Sequence, residues 1–156
     1  MIVRLVWRFL VLSMLWFPAT SLAASPTLPD ASGQLYDRVM EEYKHGDYEA
    51  ALAGFRLFIA LHRQSPLAAN AQYWIGDCQY RLGRYNEALA SFYNVRTFNP
   101  ASPKLAASAF KIGQTYSMLG DSHRARLMFD RVLDQYPNGP EAELARKAMQ
   151  VLIAKE

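Results

Sequence analysis

A single cysteine, Cys78, in 156 residues excludes a disulfide framework within the chain and any zinc site built on paired cysteines. An excess of one charge sign is also missing. The chain has 17 Lys plus Arg against 14 Asp plus Glu, and two of the basic residues, Arg4 and Arg8, fall in a leader described below. Without them the balance is 15 against 14, too even to argue for nucleic acid or an anionic membrane as partner. The three histidines, His45, His62 and His123, do not stand at ligand spacing on a common helix, and no Ser, His and Asp arrangement or phosphate-cradling glycine loop is visible. No catalytic residue, metal or cofactor is therefore expected. Long apolar runs are scarce too: the nine residues Phe9 to Phe17 fall well short of the ~20 that span a bilayer.

That short run has a context. Arg4 and Arg8 precede it, Pro18 ends it, and Ser21-Leu22-Ala23 places small residues at the −3 and −1 positions of a cut before Ala24. This is the layout of a secretory signal peptide over residues 1–23, so the mature chain is expected in the periplasm with no membrane span. The absence of a cysteine near the cut excludes a lipoprotein anchor. Ala24 to Gly33, with Pro26 and Pro29, reads as a flexible lead-in.

What the rest of the chain does have is a beat. Pro66, Pro103 and Pro140 are spaced by 37 residues, as are Gly46, Gly83 and Gly120, Ala51, Ala88 and Ala125, and Phe55, Phe92 and Phe129. A period of this length marks a stack of repeated supersecondary units. No proline interrupts the stretch between Pro66 and Pro100, and Gly83 divides it into two amphipathic halves, so each unit reads as a pair of helices. Ser65-Pro66 and Ser102-Pro103 supply a capping hydroxyl followed by proline at the first helical position. The expected fold is all-α, an α-solenoid of three helix pairs plus a C-terminal capping helix. Its domain covers 34–154, with units near 34–65, 66–102 and 103–139 and the cap at 140–154. Helices are expected near 33–45, 48–62, 66–82, 85–98, 103–119, 122–136 and 140–154. Gly76 and Gly113 should face the second helix of their own unit, where Ala88 and Ala125 lie. Cys78 aligns with Glu41 and Thr115, which suggests incomplete burial and leaves intermolecular pairing open.

Ile75-Gly76, Gly83, Tyr85, Ala88, Phe92 and Pro100, repeated at Ile112-Gly113, Gly120, Ala125, Phe129 and Pro137, resemble the tetratricopeptide repeat. The first unit departs from it, with Arg38-Val39 in place of the apolar-glycine pair. Asn70-Ala71-Gln72-Tyr73-Trp74-Ile75-Gly76, Ser102-Pro103-Lys104-Leu105-Ala106-Ala107 and Gln135-Tyr136-Pro137 are similar to the C-terminal domain of the Tol-Pal system family YbgF/CpoB, over roughly residues 34–152. That resemblance implies a periplasmic adaptor binding TolA, and through it a link between peptidoglycan synthesis, with a peptidoglycan synthase as a further partner, and outer-membrane constriction at division. Related repeats in the lipoprotein BamD imply an alternative, a scaffold for outer-membrane protein assembly or secretion. A repeat domain that modulates a cell-wall enzyme is a third reading. Family members carry an N-terminal coiled coil that makes trimers. Ala24 to Gly33 cannot form one, so a monomer is the expectation.

In such a stack the first helix of each pair lines the concave face. Registering the units on Gly46, Gly83 and Gly120 places Tyr36, Met40, Tyr43 and Lys44 of unit one at the groove. Unit two adds Asn70, Tyr73, Asp77, Tyr80 and Arg81, and unit three adds Phe110, Gln114 and Met118. Tyrosines with a few amides and charges suit a peptide-binding surface, because rings supply contact area at low entropic cost and hydroxyls and amides reach a backbone. Tyr36, Tyr73 and Phe110 share one repeat position and fit packing between units equally well. Trp74, one residue off this register, is expected in the core.

Overall fold

The computed structural model describes residues 31–154. The leader and the first part of the lead-in lie outside the described residues. Seven helices occupy these residues, with no strand among them: α1 (Ala31–Lys44), α2 (Tyr48–Leu61), α3 (Ala68–Arg81), α4 (Tyr85–Phe98), α5 (Lys104–Met118), α6 (Ser122–Gln135) and α7 (Pro140–Ile153). Consecutive helices pack as hairpins, α1 with α2, α3 with α4 and α5 with α6, and α7 closes on α5 and α6. The all-α stack of three pairs and a capping helix is the fold expected from the repeat.

The turn inside each pair is the same device three times. Gly46, Gly83 and Gly120 have φ of 84°, 74° and 78°, a left-handed backbone that is inexpensive only for glycine. In unit two the Gly83 N–H bonds to the Tyr80 carbonyl at 3.0 Å and the Arg84 N–H to the Gln79 carbonyl at 2.8 Å, which satisfies two otherwise orphaned carbonyls. The next residue then opens the second helix. Asp47 Oδ1 accepts the Ala50 N–H at 3.2 Å and Asp121 Oδ1 accepts the Arg124 N–H at 2.9 Å. Arg84 at that place has no capping acceptor and instead pairs with Glu49 of the preceding unit at 2.5 Å.

Between units the serine-proline pairs lie just before the helix instead of opening it, with Pro66 two residues and Pro103 one residue ahead of the first helical position. Ser65 Oγ accepts from the Leu67 N–H at 3.2 Å and Ser102 Oγ from the Lys104 N–H at 3.1 Å, while Ala68 and Leu105 close onto the carbonyls of Ser65 and Ser102. A tight turn thus absorbs the proline, and α3 and α5 begin beyond it. Only Gly139-Pro140 places its proline at the first helical position.

The core is two clusters. One gathers Val39, Ala51, Leu52, Phe55, Phe58, Ala71, Ile75 and Cys78; the other runs from Tyr73 and Phe92 through Phe110 and Phe129 to Leu152, and Trp74 packs against both. Gly76 and Gly113 make room for rings. A Cβ on Gly76 would lie 2.7 Å from two carbons of Phe92, and one on Gly113 would lie 2.6 Å from Phe129. The first unit solves the same problem in reverse. Its first helix carries Val39 where the others have glycine, and Gly54 of α2 gives way, since a Cβ there would meet Val39 Cγ2 at 2.5 Å. Cys78 is fully buried, which corrects the exposure inferred from its alignment with Glu41. The inner units are covered by the pair before them, here by α2, so a position exposed at Glu41 is enclosed at Cys78 and Thr115. Burial also pushes the thiol up to about 12, and this residue cannot reach a second chain while folded.

Candidate groove on the concave face

The first helices α1, α3 and α5, continued by α7, form one face; α3 packs on α5 and α5 on α7 directly. Between α1 and α3 the contact is made by long side chains. Trp74 Nε1 donates to the Tyr36 hydroxyl at 2.8 Å, and the Tyr36 ring stands edge-on to Phe55 and Phe58 at 5.6 and 5.5 Å. The Trp74 ring meets Tyr43 at 4.7 Å and Tyr73 at 5.1 Å. Trp74 is thus half-buried and joins the two clusters with its one polar atom satisfied, so it belongs to the groove floor as much as to the core.

Asp77 is the centre of this face. It is only 1% exposed, and its carboxylate accepts hydrogen bonds from the Tyr43 hydroxyl and from Arg81 Nε at 2.7 Å and pairs with Lys111 Nζ at 2.6 Å. One carboxylate thereby ties α1, α3 and α5. Burial alone would raise its pKa; the Lys111 charge and the bonds from Lys111, Tyr43 and Arg81 outweigh this and hold it below its ordinary value. The Tyr43 hydroxyl is pushed well up, first by burial and then by its bond to the Asp77 anion. Arg81 stays firmly charged, Nε also bonding the Tyr43 hydroxyl at 2.8 Å, with its guanidinium carbon over the Tyr43 and Tyr48 rings at 5.4 and 5.2 Å. Lys104 lies 5.0 and 5.1 Å from the centres of the Tyr73 and Trp74 rings, and Lys111 4.9 Å from that of Tyr80.

The structure sorts the groove candidates into three groups. Tyr73, Asp77 and Phe110 are buried, a correction to the expectation that they face the groove. The Tyr73 ring packs tilted against Phe92 at 5.7 Å and Phe110 against Phe129 at 5.7 Å, because a large ring at this position fills the space between the helices of its own unit; Asp77 is drawn inward by its two cations. Tyr36, Met40 and Tyr43 are half-buried between α1 and α3, and Lys44 lies outside, paired with Glu41 at 2.7 Å. Asn70, Tyr80, Arg81, Gln114 and Met118 retain accessible surface on the concave side. Tyr80, Gln114 and Met118 line a cleft of about 220 Å³ together with Ser117, Phe129, Ala148, Val151 and Leu152. Sequence reasoning missed Lys104, Lys111, Ala148 and Val151. The signal for two of them was present: Ala148 and Val151 stand one repeat beyond Lys111 and Gln114, so carrying the register into the capping helix finds them. Among the described residues no group of three His, Cys, Asp or Glu side chains is arranged to hold a metal, and no helix is long and apolar enough to cross a membrane.

A series of glycine-turned helical hairpins whose first helices share one face is the architecture of a helical repeat protein of the kind that serves protein–protein contact. Tetratricopeptide repeat models match residues 36–103 and 107–139, and the chain belongs to the tetratricopeptide repeat family. No curated protein matches the chain. Among solved structures it is similar to the type III secretion chaperone SycD of Yersinia enterocolitica in complex with a peptide of the translocator YopD, at 18% identity and TM-score 0.69, covering 84% of this chain and 98% of that one. It is similar to PcrH of Pseudomonas aeruginosa in complex with the chaperone binding region of PopD, at 22% identity and TM-score 0.69, covering 83% and 96%. The first repeat domain of Spaghetti (RPAP3), bound to an HSP90 peptide, matches at 15% identity and TM-score 0.65, covering 80% and 91%. At these identities the likeness establishes a shared fold.

Proposed function

We propose that this chain is an exported, non-catalytic adaptor that holds a segment of a partner protein on its concave face, and that the partner is a TolA-like component of the Tol-Pal division machinery. The observation that carries the binding reading is the open cleft of α3, α5 and α7, where apolar side chains and an amide stand accessible side by side. Folds of this kind that hold peptides of YopD, PopD and HSP90 support it. The finer reading rests on the resemblance of residues 34–152 to the YbgF/CpoB family. In it, the adaptor couples peptidoglycan synthesis to outer-membrane constriction.

The test is capture by the purified chain from envelope extracts, with titration of isolated TolA domains. Saturable binding of TolA, weakened by replacing Tyr80 and Arg81 together with alanine while helical circular dichroism is unchanged, is the expected result. Recovery of barrel-assembly components without TolA would overturn the Tol-Pal assignment, and binding indifferent to the double replacement would overturn the groove. Export is tested by fractionation: a periplasmic product beginning at Ala24 is expected, and a cytosolic full-length chain would refute it.

A further inference from the structure

We propose that the groove is functional only in its C-terminal half, and that it takes a segment carrying a bulky aliphatic or aromatic side chain next to a carboxylate. This inference rests on the concave face being the binding surface. The two halves differ in what their polar atoms are doing. Between α1 and α3, the Tyr36 hydroxyl is occupied by Trp74, and the Tyr43 hydroxyl by Asp77 and Arg81. A partner entering there must first break bonds that join the units, one of them to a carboxylate at 1% exposure.

One repeat further on, the same positions are occupied by different side chains. Gln114 stands where Asp77 does, Ser117 where Tyr80 does, Met118 where Arg81 does, and the capping helix presents Ala148 and Val151 where α5 presents Lys111 and Gln114. The aromatic and charged bridge cannot form between α5 and α7, and the space it would fill stays open as the cleft. Met118 and Val151 are 53% and 54% exposed at its mouth. Its volume, about 220 Å³, admits one large side chain, since roughly 150 Å³ of apolar cavity holds benzene. Among the described residues the half-buried Gln114 carboxamide has no hydrogen-bond partner, so it is available to a peptide backbone.

Charge selects the neighbour of that side chain. None of the residues lining the cleft is ionised, but Tyr80 in its wall lies beneath Lys111. Lys111 and Arg81 share the single carboxylate of Asp77, which leaves one positive charge uncompensated at the edge of the cleft. Glu141, in the first turn of α7, acts electrostatically on Tyr73. A carboxylate beside the anchored side chain would complete the set, and a lysine there would be repelled.

Selection of a displayed library of random dodecapeptides on the full chain, followed by anisotropy titration of the recovered sequence as a labelled peptide, tests this. The expected motif pairs Leu, Ile, Met or Phe with Asp or Glu. Met118→Glu is expected to weaken binding about tenfold or more. Arg81→Gln, which removes the surplus charge, should abolish the preference for the acidic peptide over its amide counterpart. A basic or charge-indifferent motif would overturn the proposal. So would a concentration-dependent dimer that Met118→Glu dissolves, which would identify a second copy as the occupant. Sensitivity to Tyr36→Ala or Asn70→Ala with none to Met118→Glu would leave the groove standing and refute its confinement to this half. Indifference to every one of these substitutions would refute the groove itself.

Discussion

The exchange of bulk between Val39 and Gly54 gives a quantitative test of how the first unit packs. Adding a methyl at Gly54 places it 2.5, 2.9 and 3.3 Å from Cγ2, Cγ1 and Cβ of Val39. Val39 is buried and β-branched on a helix, so rotation about χ1 offers it little escape. Overpacking of this kind costs typically about 1–3 kcal/mol, against which alanine gains up to about 1 kcal/mol over glycine in helix propensity. Gly54→Ala should therefore destabilise the chain by about 1–2 kcal/mol. Val39→Ala removes two buried methyl groups and leaves a cavity, a loss of about 2 kcal/mol. In the double variant the clashing Cγ atoms are gone and the new methyl partly fills the space they leave, so the combined loss should be about 1 kcal/mol. The coupling is then about 2–3 kcal/mol, well above the ~0.5 kcal/mol within which independent sites add. Urea unfolding followed by circular dichroism measures all four corners of this cycle, with m-values compared to check that the two-state description holds. Strict additivity would refute the claim that these two positions share one space.

Three further outcomes follow from the geometry. Gly83→Ala, at φ 74° with open space around it, should lose about 1 kcal/mol from backbone strain alone, measured by the same unfolding; no loss would contradict the left-handed turn. Asp77→Asn leaves Lys111, only 18% exposed, without its counter-ion and should lose about 3 kcal/mol at neutral pH. Because the folded pKa of Asp77 lies below its ordinary 3.8, its contribution is complete above that value and is lost as pH falls through the folded pKa. The gap in stability between wild type and Asp77→Asn should thus close under acid, and a gap constant with pH would refute the ion-pair account. Cys78 should resist a disulfide exchange reagent in the native chain and react fully in urea; rapid native labelling would contradict its burial.

The sequence by itself determined the number of helices, their pairing and their turns. Those follow from local chemistry repeated at a fixed interval: a glycine that alone tolerates φ near 80°, prolines that forbid helix continuation, and small residues that admit a ring one helix away. It also located the concave face, since the register of Tyr43, Tyr80 and Gln114 is a matter of helical periodicity. What it could not decide is which of those side chains remain available. Asp77 and Gln114 occupy one repeat position, yet the carboxylate is drawn into the core by cations from its own helix and from α5, while the amide is left at an open cleft. Trp74 and Lys111 likewise share a position and have unrelated partners. Val39 and Gly54 exchange sizes between two helices, which no single-helix pattern reveals. Periodicity fixes direction, but burial and charge pairing depend on the neighbour each unit meets, and only the assembled stack supplies that neighbour.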